Sequence, residues 1–230
     1  MANFAQVLEE KMLPVAAKVS GNKVLIAIRD GITLAIPLIV VGSLFMVVSN
    51  FPVEAWTTML TDTGISPYLG KITDGSFNIM ALVAAFGVAN SYAKQRDVDG
   101  VSAGIISLSG FLILTPFIST KDDGNGIPMN YMGSKGLFVA IIVGIISALI
   151  FAWFIKRDIR IKMPDAVPPA VAQSFSALIP GAAILTLWGI VLAVFTVIGF
   201  PNIHDVLMTV LGGPLSLLGA TLPGTCIVVL

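Results

Sequence analysis

The chain has 230 residues, of which 56% are hydrophobic and only 11% charged, and its formal net charge is zero. Soluble domains carry about 25% charged residues, so this composition is too apolar for an ordinary water-exposed surface. No basic, aromatic-flanked patch indicates nucleic-acid binding. No motif indicates a metal ion or other cofactor.

Five apolar stretches contain no Asp, Glu, Lys, Arg or His. A hydrocarbon core of roughly 30 Å takes about 20 helical residues, and only a helix satisfies its own backbone polar groups in lipid. We therefore predict an all-α integral membrane protein with about five transmembrane helices, interfacial amphipathic helices and the start of a sixth apolar segment. The five stretches are residues 31–50, 77–93, 101–120, 137–155 and 175–200.

The basic residues between these stretches are distributed unevenly. Short basic loops stay on the cytoplasmic side of a membrane, which predicts a multi-pass protein with a cytoplasmic N-terminus. Ten basic residues then fall inside, namely Lys11, Lys18, Lys23, Arg29, Lys94, Arg96, Lys156, Arg157, Arg160 and Lys162. Only Lys71, Lys121 and Lys135 fall outside.

The chain divides into three predicted parts. Residues 1–28 have apolar side chains at helical spacing and indicate a cytoplasmic amphipathic segment lying on the membrane. Residues 29–200 form the five-helix transmembrane domain. Residues 201–230 are predicted to form an interfacial helix followed by the start of a further apolar segment. We therefore expect the chain to be the front part of a longer protein. His204, the one histidine, is expected to be interfacial and without chemistry.

Prolines and glycines predict how the spans bend and connect. Pro37 predicts a kink in the first span. The turn-rich composition of residues 51–75 predicts an external loop, and residues 94–97 a tight cytoplasmic turn. Asp-Gly and Asn-Gly pairs predict a hairpin or looped excursion around residues 121–131. A calcium loop formed by Asp122, Asp123 and Asn125 is the alternative, although the usual ligand spacing is absent.

Residues 156–162 form the most basic cytoplasmic segment, and three prolines within residues 164–169 predict an extended connection after it. Such a segment sets topology and contacts anionic lipid, and docking of a soluble partner is the alternative. Small residues in the second span allow close approach of helices and favour self-association. These are Ala81, Ala84, Ala85, Gly87 and Ala89.

Four ordered strings then carry a specific resemblance. They are residues 29–31 (RDG) leading into 36–44 (IPLIVVGSL), then 135–140 (KGLFVA), 163–171 (MPDAVPPAV) and 175–181 (FSALIPG), in order and at natural spacing. Together they resemble the enzyme IIC sugar permease of the bacterial phosphotransferase system, lactose/cellobiose (diacetylchitobiose) family, over its N-terminal half.

The resemblance implies a homodimer in the bacterial plasma membrane. Such a permease binds a β-linked disaccharide such as cellobiose, diacetylchitobiose or lactose and presents it to a phosphorylated cytoplasmic IIB protein. The first five helices correspond to the dimer-forming half. The family's essential His and Glu belong to the second half and have no matching positions here, so we assign no catalytic residue and expect this chain alone to be inactive.

Polar residues near the span ends are the weak candidates for sugar binding, and none is fixed by a motif. They are Asn78, Asn90, Arg29 and Arg96. The alternative function is a non-transporting membrane scaffold or regulator derived from such a permease.

Overall fold

The computed structural model describes residues 21–120, 124–164, 166–200 and 202–210. The predicted amphipathic segment over residues 1–20 lies outside the described residues. The same holds for Asp122 and Asp123 of the calcium-loop alternative and for the apolar run over residues 211–230.

All five predicted stretches contain helix. The main helices of the described residues are α1 Lys23–Thr33, α2 Ile36–Ser49, α3 Glu54–Asp62, α4 Ser66–Asp74, α5 Met80–Lys94, α6 Gly100–Leu114, α7 Leu137–Lys156, α8 Pro169–Ser176 and α9 Leu178–Ile198. Short 3-10 turns cover Phe77–Ile79, Met129–Tyr131 and Ser134–Gly136, and residues 203–210 are helical.

Three helical stretches of the described residues are long and apolar enough to cross a membrane: Ser66–Lys94, Ser134–Lys156 and Pro169–Ile198. The pair α1 and α2 forms a fourth if it is counted as one bent span. Helix α6 is apolar but has 15 residues, which is about 22 Å of rise. The prediction of a helical membrane protein is confirmed.

The predicted kink at Pro37 is confirmed. Helices α1 and α2 meet at an angle of 41°, and Pro37 lies in the first turn of α2. Proline has no N–H, and its ring clashes with the carbonyl four residues earlier. That carbonyl belongs to Thr33, the last residue of α1.

The third span is shorter than predicted. Helix α6 ends at Leu114, and Thr115 adopts an extended conformation with ψ of 129°. Pro116 explains this end, because a residue before proline is driven out of the helical region. Strand β1 (Ile118–Thr120) then pairs antiparallel with β2 (Gly124–Gly126), which confirms the predicted hairpin.

Residues 51–75, predicted as an external loop, are largely helical, so the expectation of a loop without helices is wrong. This segment forms α3 and α4, each of nine residues, joined at Gly64 with φ of +68°. Glu54 and Pro67 lie in the first turns of the two helices, and both are favourable there. The turn-forming residues thus mark helix ends rather than continuous loop.

Helix α5 lies at the centre of the bundle, between α1, α6 and α7, and α9 packs on α6 and α7. All five small residues predicted as a self-association surface are buried within this chain. Their use as evidence for a dimer interface is therefore wrong, because they pack the chain's own helices. A bond of 2.9 Å from Trp188 Nε1 to Ser147 Oγ ties α9 to α7.

Candidate functional site at the basic end of the bundle

Lys23, Lys94 and Lys156 lie at one end of the described bundle, which we call the basic end. There, α1 and α5 enclose a polar cleft of about 410 Å³. Its lining consists of Asp30, Leu34, Gly87, Asn90, Ser91, Lys94 and Gln95. Amide, hydroxyl, carboxylate and ammonium groups thus converge in one concavity, which is the lining expected for a polyhydroxylated ligand.

Two glycines allow α1 and α5 to cross closely beneath this cleft. A Cβ on Gly87 would lie 2.6 Å from the Gly31 carbonyl oxygen, and one on Gly31 would lie 2.6 Å from Val88 Cα. Real Cβ atoms do not approach so closely, so both positions require glycine. The crossing brings Asp30 of α1 opposite Ser91 of α5, with 3.5 Å between Ser91 Oγ and the carboxylate.

One hydrogen bond at the mouth of the cleft joins α1 to the end of α5, and local contacts flank it. The Lys23 ammonium donates to the Gln95 carbonyl oxygen at 2.9 Å, and Gln95 Nε2 lies 3.4 Å from Ser91 Oγ. Arg29 pairs with its neighbour Asp30 at 2.8 Å. The Arg29 side chain is 71% exposed, so this pair adds little to stability but leaves the guanidinium accessible beside the cleft.

Asn90 is the predicted candidate that lines the cleft. Its Oδ1 atom is buried without a hydrogen-bond partner among the described residues, and it faces Gly100 of α6. A buried amide oxygen without a partner costs roughly 1–3 kcal/mol. Asn90 thus lies between the cleft and the start of α6.

Arg96 is held by α5 itself. Its Nη2 donates to Tyr92 Oη at 2.6 Å, and its guanidinium carbon lies 5.0 Å from the centre of the Tyr92 ring. The turn after α5 reverses at Asp97, which has φ of +58°, as the predicted tight turn requires. Arg96 does not line the cleft.

Asn78 lies at the opposite end of the bundle. Its Nδ2 donates to Asp74 Oδ1 at 2.8 Å, and the twelve residue steps from Asn78 to Asn90 correspond to about 18 Å of helical rise. The four candidates therefore do not form one site. Asn90 lines the cleft and Arg29 lies beside it through its pair with Asp30, whereas Arg96 and Asn78 lie elsewhere.

A second polar cluster lies at the end opposite the cleft and was not predicted. His204, placed by sequence in an interfacial segment, is fully buried within the protein. Its ring packs edge-on against Phe111 and tilted against Tyr131, with centroid distances of 5.4 and 4.8 Å. Nε2 lies 3.1 Å from Thr115 Oγ1.

The hydrogen bonds of Thr115 define the histidine tautomer. Thr115 Oγ1 donates to the Phe111 carbonyl oxygen at 2.9 Å, so its oxygen accepts from His204 and the proton resides on Nε2. Nδ1 is buried and has no partner among the described residues. Burial lowers the pKa of His204 to about 4, although the Asp205 carboxylate opposes this shift.

Asp205 connects the same segment to the loop before α7. Tyr131 Oη donates to its carboxylate at 3.2 Å, and Asn202 Nδ2 donates at 3.1 Å. Burial and the neighbouring carboxylate raise the pKa of Tyr131. Residues 202–205 are thus bound to the bundle. A sequence signal for this cluster is weak, since the bonded residues are 74 to 89 positions apart.

No group of three or more His, Cys, Asp or Glu side chains in the described part of the chain is arranged to hold a metal ion. The chemistry that the described clusters offer is hydrogen bonding and charge recognition.

The fold defines a polytopic helical membrane protein with a polar cleft at its basic end. The family model described as "Phosphotransferase system, EIIC" matches residues 29–230. The chain belongs to this family.

Relatives with similar sequences cover the whole chain. The lichenan permease IIC component of Bacillus subtilis (strain 168) is 42% identical over 99% of this chain and 53% of its own length. The cellobiose-specific EIIC component of Geobacillus stearothermophilus is 40% identical over 100% of this chain and 54% of its own length. The chain spans about half the length of these relatives.

A solved structure has the same fold. The transporter ChbC, the IIC component of the N,N'-diacetylchitobiose-specific phosphotransferase system, is 39% identical and superposes with a TM-score of 0.86. The match covers 96% of this chain and 54% of ChbC. The resemblance identified in the sequence is confirmed.

Proposed function

We propose that this chain is the N-terminal half of the IIC permease component of a phosphoenolpyruvate-dependent sugar phosphotransferase system in a bacterial plasma membrane. The observation that carries the proposal is the ChbC match, which extends over 96% of the chain at 39% identity. A membrane scaffold without transport is not favoured, since the relatives are themselves permease and EIIC components.

The proposed substrate is a β-linked disaccharide such as cellobiose, diacetylchitobiose or lactose. Support comes from the names of the relatives, which include lichenan, cellobiose and oligo-β-mannoside components. Lactose-specific EIICB components are 32–35% identical over 76–78% of this chain. The sugar hydroxyls would bind amide and carboxylate groups, which Asn90, Gln95 and Asp30 supply in the cleft.

The phosphoryl donor in this proposal is a phosphorylated IIB protein at the basic end. Phosphoryl transfer needs an acceptor hydroxyl held in line with the donor, and a base or a charge-stabilising group within hydrogen-bond reach. The helices α2, α6 and α9 contain no ionisable residue. We therefore infer that these 230 residues position helices and contribute polar contacts, while further residues supply the phosphoryl-transfer site.

Complementation of a permease-null strain tests the proposal. The chain alone should give no uptake of labelled cellobiose or diacetylchitobiose. Coexpression with the C-terminal half of the lichenan permease, together with IIA and IIB, should restore uptake. Uptake by the chain alone would contradict the proposed division of roles. If the two halves copurify but no combination transports or phosphorylates a β-linked disaccharide, the proposed function is wrong.

We also propose that the chain forms a homodimer through α2 and α4. Helix α2 packs mainly against α4 and the Phe77–Ile79 turn, apart from the bundle centred on α5. The apolar side chains of Leu44 and Val47 on α2 are 62% and 61% exposed, and a second copy would cover them.

Cysteine crosslinking tests the dimer. Leu44→Cys and Val47→Cys should each form disulfides between identical positions in membranes, whereas Val197→Cys, which is 87% exposed on α9, should not. Crosslinking at position 197 but not at 44 or 47 would assign the contact to α9. A monomeric mass in several mild detergents, without crosslinks at any position, would exclude the dimer.

A further inference from the structure

The end of α7 and the segment after it form the most basic surface of the described chain. Residues 156–162 contain four cations and one carboxylate, a net charge of +3. All of them are exposed: Lys156, Arg157, Asp158, Arg160 and Lys162. The surface belongs to neither the cleft nor the His204 cluster.

The cations of this surface are arranged by two local contacts. The Arg157 guanidinium lies 4.9 Å from the centre of the Trp153 ring. Asp158, with φ of +59°, turns the chain back so that its carboxylate accepts from Arg160 Nε at 2.9 Å and pairs with Lys162. Hydrogen bonds from Lys162 and Arg160 lower the pKa of Asp158. One carboxylate cannot neutralise two cations, so positive charge remains for an external anion.

Exposed apolar side chains lie among these cations. Ile159 and Ile161, 39% and 36% exposed, alternate with Arg160 and Lys162. Ser176 Oγ donates to the Ile161 carbonyl oxygen at 3.2 Å, which joins the segment to α8, whose Phe175 is also 39% exposed. Cations mixed with exposed aliphatic and aromatic groups are typical of a surface in the headgroup region of a bilayer.

Trp153 relates this surface to the membrane. It is 46% exposed on the last turn of a 20-residue apolar helix, which is the depth at which tryptophan side chains meet lipid headgroups. Arg157, bound to this ring, lies at the same level. A docking surface for a soluble protein would project beyond that level, so the position of Trp153 favours lipid.

We propose that the surface formed by Trp153, Arg157, Arg160 and Lys162 binds the phosphate of anionic phospholipid headgroups in the leaflet at the basic end. Arginine binds phosphate oxygens with two N–H groups, and the isoleucines contact the upper part of the acyl chains. This inference does not depend on the transported sugar.

Brominated lipids test the proposal with the full chain in nanodiscs. The Trp153 signal is the difference in fluorescence between the unmodified chain and Trp153→Phe. Phosphatidylglycerol with brominated acyl chains should quench this signal more than brominated phosphatidylcholine at the same mole fraction. A basic residue near an anionic surface strengthens binding about fivefold. Arg157→Gln should therefore lower the preference for phosphatidylglycerol over phosphatidylcholine about fivefold.

The double variant Arg160→Gln/Lys162→Gln should lower the preference further, and a rise from 0.1 to 1 M salt should weaken it, since the screening length falls from about 10 to 3 Å. Lys71→Gln on α4, at the opposite end, is the matched control and should retain the preference. Equal quenching by both lipids, or a preference unchanged in the variants, would overturn the proposal. The proposal would also be overturned if the variants kept the lipid preference but lost binding of phosphorylated IIB.

Discussion

At the scale of single residues, His204 is the group whose environment departs most from its sequence context. It is neutral, fully buried and bonded through one nitrogen, while Asp205 beside it bonds Tyr131 and Asn202. The imidazole therefore stabilises the attachment of residues 202–205 only while it is uncharged, because protonation would place a charge on the unpartnered Nδ1.

We predict that acidification destabilises the protein through His204. Its pKa is about 4 in the folded state and 6.5 in the unfolded state, so the unfolded state binds the additional proton as the pH falls through that window. The stability that depends on the neutral form is complete above about pH 6.5 and decreases toward pH 4, by at most roughly 3 kcal/mol.

Thermal unfolding in detergent between pH 7 and 4.5 measures this effect. His204→Gln keeps a donor for Thr115 but does not titrate, so its melting temperature should fall less than that of the unmodified chain. The carboxylates titrate in both proteins, and the difference isolates the histidine. Parallel decreases in the two proteins would show that His204 does not contribute.

At the scale of elements, the crossing of α1 and α5 depends on Gly31 and Gly87. Each glycine lies against backbone atoms of the other helix, which cannot rotate away as a flexible side chain can. Small residues at such crossings let helices gain van der Waals contact in lipid, where no hydrophobic driving force brings them together. This crossing also sets the width of the polar cleft.

We predict opposite effects for two kinds of Gly→Ala substitution. Gly31→Ala and Gly87→Ala should each destabilise the protein by about 1–3 kcal/mol through overpacking. Gly189→Ala on α9 is the control, because a Cβ there meets no atom within 4 Å and alanine favours the helix by up to about 1 kcal/mol. Melting temperatures of purified variants provide the measurement. Stabilisation at position 87 would contradict the close crossing.

At the scale of the whole molecule, the distribution of basic residues predicts the orientation of the chain. Lys23, Lys94 and the segment 156–162 meet at one end of the bundle, and Gln95 accepts from Lys23 across α1 and α5. The basic loops assigned to the cytoplasm from sequence thus share one end of the described structure.

Labelling of single cysteines in intact cells tests this orientation. In a Cys226→Ser background, cysteines at positions 62, 124 and 202 should react with a membrane-impermeant thiol reagent. Cysteines at positions 95 and 160 should react only after lysis. The reverse pattern would place the N-terminus outside, whereas labelling of all five positions in intact cells would indicate leaky cells and require a cytoplasmic control protein.

The sequence by itself determined the membrane class, the approximate spans, the kink before Pro37 and the hairpin after α6. These features depend on local composition, since the length of an apolar run and the position of a proline act within one or two turns of helix. Local signals also exist for the early end of α6, which Pro116 causes, and for α3 and α4, whose first turns contain Glu54 and Pro67. The overall composition of these segments does not reveal them, because it is apolar in the first case and rich in turn-forming residues in the second.

Only the tertiary structure decided which faces pack. Apolar helices such as α7 and α9 are hydrophobic on every side, and lipid tails are as apolar as a protein interior, so their sequences do not distinguish a packed face from an exposed one. For the same reason, the sequence of α5 does not show whether its small residues face a partner or, as the structure has them, the chain's own bundle. The separation of Asn78 from Asn90 and the burial of His204 follow from helix pairing over long sequence distances, which local patterns do not encode.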